Sequence, residues 1–100
     1  IAFHDKVIID KQSTIQGFYR AYNQAVHLLN SQPVSSFDNL LITEIGFPPN
    51  LVSKVELPKY SKAQLPQTQD LQKVEQWLKD SKLVADDFNI DTLVATDLIP

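Results

Sequence analysis

Between Thr14 and Leu29 apolar side chains recur three and four residues apart, at Ile15, Phe18, Tyr22, Val26 and Leu29. An α-helix returns to the same face at that period. Set at about 100° per residue, Ile15, Phe18, Tyr19, Tyr22, Ala25, Val26 and Leu29 share one arc, which Gly17, Ala21 and Leu28 widen on one side. The polar remainder is a narrow face of Gln16, Arg20, Asn23, Gln24 and His27. An arc wider than half the circumference suits a helix packed between two neighbours, not one lying on a surface. Ser13 followed by Gln16 makes a capping-box pattern at its start. Asn30-Ser31-Gln32-Pro33 ends it, because the residue before a proline is pushed out of the helical region.

A second helix is predicted over Thr68–Asp80, with Leu71, Val74, Trp77 and Leu78 on one face and Thr68 as its cap. Between the two, Ser35 or Ser36 can cap a short helix carrying Leu40, Leu41 and Ile45, with Gly46 placed for a left-handed C-cap. Pro48-Pro49 can start another, with Leu51, Val52 and Val55 as its apolar stripe and Pro58 as its stop. At the N-terminus, alternating Ile1, Phe3, Val7 and Ile9 are interrupted by His4-Asp5-Lys6, which reads as a short strand over Ile1–Phe3 running into a turn. Asp5 can cap a helical turn over Lys6–Ile9. Lys59–Pro66 is a polar connector holding Tyr60, and the tail offers a single turn at Asp91–Val94 capped by Asp91 or Asn89. The expected fold is mainly α: four to five short helices with one N-terminal strand, around a core of Phe18, Tyr22, Val26, Leu40, Leu71, Val74, Trp77 and Leu78.

One hundred residues leave room for one domain, and 43% hydrophobic with 21% charged residues is too apolar for a disordered segment. The chain is expected to be a single domain, or a fragment cut from a longer protein, since it contains no Met. A net charge of -3, with nine Lys plus Arg scattered singly, argues against nucleic acid and anionic membrane surfaces as partners. Without Cys there is no disulfide, thiolate nucleophile or Cys-based metal site. No apolar run approaches the roughly 18 residues of a membrane span.

Candidate chemistry is sparse. His4 and His27 are the only histidines, lie on different elements and lack metal-ligand spacing. His27 falls on the polar helix face, as a solvated residue does. His4-Asp5 is an acid-base pair in name, but neighbouring residues in an extended segment point to opposite sides, and capping by Asp5 is the simpler role. Asp86, Asp87, Asp91 and Asp97 give an acidic tail without the glycine and glutamate of a calcium loop. Two glycines in the whole chain exclude a phosphate-cradling loop, and no GxSxG occurs. Tyr19, Tyr22 and Trp77 can line a pocket, although their helical spacing among aliphatics favours the core. No catalytic residue, metal or cofactor is expected, and the chain is not expected to be an enzyme.

Five segments, in order, carry a family resemblance: AFHDKVI, GFYRAYNQAVHLLNSQP, IGFPPNLVSKVELPKYS, LQKVEQWLKDSKLV and IDTLVATDLIP. Together they resemble the C-terminal region of ABC-transporter substrate-binding proteins of the nitrate/sulfonate/taurine and thiamine-precursor type. In that family's two-lobed, type 2 periplasmic-binding-protein fold they correspond to the last crossover strand and turn, a long helix, a helix pair, a further helix and the closing segment. Lys82 stands where the family usually has glycine at a helix end, and Asp97 where it usually has arginine. The resemblance implies a helical outer layer of one lobe, in an extracytoplasmic protein that captures a small solute and hands it to an ABC permease. Family solute contacts come mainly from N-terminal strands and loops outside these 100 residues, so no ligand-binding residue is assigned. The alternative from a different class is a stand-alone α-helical protein-protein interaction module. In either case the unpaired strand and the wide apolar arc lead us to expect that the isolated chain self-associates.

Overall fold

The computed structural model describes residues Ile1–Pro100. It is mainly helical, with 56% of residues in helix, four α-helices and no strand. These are α1 (Asp5–Asp10), α2 (Gln12–Ser31), α3 (Asp38–Thr43) and α4 (Thr68–Asp80), joined by 3₁₀ turns at Val34–Phe37, Val52–Lys54 and Ile90–Leu93. The chain divides into two compact units, Ile1–Tyr19 with Ala63–Pro100, and Arg20–Lys62.

In the first unit Ile15, Ile90 and Leu98 are buried. Two side chains from the helices hold the irregular tail in place. Glu75 on α4 accepts the backbone N–H of Ile90 at 2.8 Å, and its other oxygen accepts from Lys79 Nζ at 2.7 Å. Gln16 on α2 donates to the Asp97 carbonyl at 2.9 Å. Asn89 caps the tail's 3₁₀ turn by accepting from the Asp91 N–H at 3.0 Å. In the second unit Val26 and Val52 are buried. There the extended connector is held by side chains of α2. Asn30 donates to the Tyr60 carbonyl at 2.7 Å and accepts from the Tyr60 N–H at 3.1 Å, while the Tyr22 hydroxyl donates to the Ser61 carbonyl at 3.2 Å.

The long helices lie where their periodicity puts them: α4 has the expected bounds, and α2 extends the expected Thr14–Leu29 at both ends. Gly46, with φ +75°, lies just beyond α3 in the left-handed region. Lys82 just past α4 is also left-handed, at φ +57°, the conformation that glycine adopts without steric cost. Other expectations are corrected. Ile1–Phe3 is not a strand, because no neighbouring segment pairs with it. The cap of α1 is His4, whose Nδ1 accepts from the Lys6 N–H at 3.3 Å, and Asp5 is the first helical residue. Ser13 lies inside α2, one residue past its start, so the capping box is not formed and Gln16 serves the tail instead. Gln67, not Thr68, occupies the N-cap of α4. The helix expected after Pro48-Pro49 shrinks to the 3₁₀ turn Val52–Lys54, and the Ser35/Ser36 helix becomes the turn Val34–Phe37 followed by α3.

The core is also smaller than expected. Phe18, Leu40, Val74 and Trp77 are exposed, Trp77 to 60%. Tyr22, Leu71 and Leu78 are half-buried, and of the expected set Val26 alone is buried. Five hydrophobic side chains are buried against fourteen large ones exposed. The chain exposes 7892 Å² in all. A self-contained protein of 11.3 kDa exposes about 5,700 Å², and two separate bodies of half that mass about 6,900 Å² together. Even on the second basis roughly 1,000 Å² is surplus.

Candidate functional site

The first unit carries an open groove of about 660 Å³. Its walls come from every part of that unit: Ile1 and Phe3 from the N-terminal segment, Ile8 from α1, Tyr19 from α2, Leu65 and Pro66 from the connector, Leu71 from α4, and Leu93, Leu98 and Ile99 from the tail. The helical walls follow from patterning, since Ile8, Tyr19 and Leu71 are the residues their short apolar stripes turn inward. Tyr19 organises one end, with its ring edge-on to Phe3 at 6.3 Å and to Phe18 at 5.4 Å between centroids. Polar character is confined to Asp5, Gln64, Thr92 and the Tyr19 hydroxyl. A shallower depression of about 470 Å³ shares Ile8 and Leu98 and adds Asp97.

Two properties set what this groove can do. No Lys or Arg side chain lines either cavity, and the charged side chains of the lining are the carboxylates Asp5 and Asp97. The backbone of residues 1–3 and 64–66 lies outside any helix or strand and makes no backbone hydrogen bond. Unpaired backbone beside apolar side chains is a surface to which a further segment can add.

The residues singled out from sequence are not brought together. His4 Nδ1 accepts from Lys6 N–H, and the Lys6 ammonium lies 2.6 Å from Asp10 Oδ2. His27 is exposed on α2. Asp86, Asp87, Asp91 and Asp97 are exposed along the tail, and no group of three or more His, Asp or Glu side chains converges. Of the aromatic candidates, Tyr19 lines the groove, Tyr22 holds the connector and Trp77 is exposed. The one perturbed titratable group lies away from the groove. The Ile90 N–H, and after it the Lys79 ammonium, hold the Glu75 carboxyl below its ordinary range. Sequence reasoning missed the groove's tail residues Leu93, Leu98 and Ile99, which sit in irregular backbone without any period. Their clustering in the last eight residues was the available signal.

No helix is long and apolar enough to cross a membrane. Compared with protein-family models, with characterised proteins and with solved structures, the chain matches none.

Proposed function

We propose that this chain is the C-terminal helical layer of one lobe of an extracytoplasmic ABC-transporter substrate-binding protein, a protein that captures a small solute for import. The observation that carries the reading is the number of apolar side chains left uncovered, with fourteen large hydrophobic residues exposed against five buried. A helical layer whose sheet lies elsewhere has that property. The groove is its inner face, and the unpaired backbone of Ile1–Phe3 is where pairing with the rest of the lobe resumes. The resembling segments fall on the helices in order, with GFYRAYNQAVHLLNSQP covering α2 except residues 12–16 and LQKVEQWLKDSKLV covering α4 except residues 68–70. On this reading the function is binding rather than catalysis, and the solute contacts are made by parts of the lobes outside this chain.

The test is the coding sequence upstream of Ile1. About 200 or more further residues, opening with a secretory or lipoprotein signal, are expected, because a two-lobed α/β protein needs that length. A start codon directly before Ile1 refutes the reading. A second reading, a stand-alone helical interaction module, draws on the exposed side of α4, where Val74 and Trp77 are uncovered. Its signature is that same start codon together with a partner protein whose binding is lost on Trp77→Ser.

A further inference from the structure

The tail of the first unit has few attachments to its helices. From 84 to 100 the backbone hydrogen bonds outside the 3₁₀ turn are local, from Phe88 N–H to the Ala85 carbonyl, Thr92 N–H to Asn89 and Val94 N–H to Asp91. Two hydrogen bonds reach beyond the segment: the Ile90 N–H donates to Glu75 at 2.8 Å, and Gln16 donates to the Asp97 carbonyl at 2.9 Å. The segment carries Asp86, Asp87, Asp91 and Asp97 without any Lys or Arg, and none of these carboxylates is in an ion pair. Its buried side chains are Ile90, at the first tie, and Leu98, next to the second. We infer that residues 84–100 are a strap that forms part of the groove wall and lifts as a unit while α2 and α4 stay folded, with Glu75 as its latch. This holds whether or not the chain is part of a solute-binding protein.

A segment opens ahead of the rest when few buried contacts and few hydrogen bonds must break together. Freeing a residue inside α2 or α4 means unwinding turns of a continuous ladder. Freeing the strap breaks two side-chain ties and bares two anchors, and its local turns give it no hold on the helices. The pivot is also defined. The Leu83 N–H is bonded to the Leu78 carbonyl at 3.0 Å and closes the end of α4 beside left-handed Lys82, so the chain is next fastened to a helix at Ile90. Of the two ties Glu75 is the stronger, because its acceptor is a carboxylate that the Lys79 ammonium holds in place at 2.7 Å. The lining sets what lifting achieves. Leu93, Leu98 and Ile99 of the strap wall the groove together with Ile8, Tyr19 and Leu71. When the strap lifts, the second set faces water, and the width of the groove is governed by one carboxylate.

Thiol labelling of the 100-residue chain tests this, because it contains no Cys and a single introduced one reports opening at its own position. Leu98→Cys, at a buried position, reports the strap, and Ile15→Cys, also buried in the same unit, reports the helices. Far-UV circular dichroism checks that each variant is folded. The Leu98 reporter should react at least about tenfold faster than the Ile15 reporter. Its rate should stay nearly flat in low urea, since lifting bares little surface, while the Ile15 rate climbs steeply. Adding Glu75→Ala should speed the Leu98 reporter about tenfold, as the loss of a hydrogen bond to a charged group implies. A second measurement leaves both anchors intact. In Glu75→Ala alone, hydrogen exchange at the Val94 amide should accelerate by a similar factor, although its own acceptor, the Asp91 carbonyl, is untouched. Equal rates and equal urea dependence at the two thiols would overturn the strap, because the tail would then come away only when the helices unfold. Leu98 labelling and Val94 exchange that ignore Glu75→Ala would overturn the latch. None of these results bears on the upstream coding sequence, so the two readings fail separately.

Discussion

Replacing Trp77 by alanine tests the packing of the first unit most directly, because sequence and structure give it opposite weights. A tryptophan with its spacing would be a core residue, and its loss from a core costs about 3–5 kcal/mol. At 60% exposed, a side chain of up to about 250 Å² has about 100 Å² covered. At about 25 cal/mol per Å² that is at most about 2 kcal/mol after allowing for what an alanine Cβ keeps covered. The unfolded chain already shields part of this area, and alanine returns about 0.5 kcal/mol of helix propensity. The net expectation is about 1 kcal/mol. Ile15 is 3% exposed in the same unit, and Ile15→Ala should cost about 2–5 kcal/mol despite the smaller side chain. Urea unfolding followed by circular dichroism compares the two. A Trp77→Ala variant as destabilised as Ile15→Ala, or more so, would refute the burial argument.

Three further outcomes are expected. Asn30→Ala removes both bonds to Tyr60, which should cost about 1 kcal/mol and speed tryptic cleavage after Lys59 and Lys62, whereas unchanged digestion would show that the connector is held by other means. Lys82→Gly should raise the urea midpoint by about 0.5–1 kcal/mol equivalent, since φ +57° strains any residue with a Cβ, and a lower midpoint would contradict that. Glu75 has a folded-state pKa below its ordinary 4.5, so its stabilisation is complete above the unfolded value and is lost as pH falls through the folded one. Acid titration of stability should show this loss below about pH 4.5 in the wild type and a flatter profile in Glu75→Gln, and identical profiles would remove Glu75 from the account.

The two long helices were legible because a period of 3.6 repeated over four or more turns is not easily produced by anything else. Burial was less legible. Periodicity identifies which residues share a face, but not whether that face has a neighbour, and Val74 and Trp77 share a stripe with Leu71 and Leu78 yet turn to solvent. The N-terminal alternation misled for a related reason: a strand is defined by its partner, and Ile1–Phe3 has none. Pro48-Pro49 signalled a helix start, but Pro58 and the lack of any cap left room for a single 3₁₀ turn. The groove was least legible, since it is assembled from the tail, the connector and three helices, and contact between segments of such separation leaves no local pattern in sequence.

The clasp on the connector carries a consequence for sequence drift. Asn30 and Tyr22 read main-chain atoms of Tyr60 and Ser61, not their side chains. Substitutions at 60 and 61 should therefore be freely accepted, with proline barred at 60 because the clasp needs its N–H. Position 30 has no such latitude. Aspartate there lacks the donor, and serine or alanine lacks the paired donor and acceptor that asparagine presents side by side. In variants of this chain the aromatic ring of Tyr60 should come and go while the modest amide thirty residues before it stays.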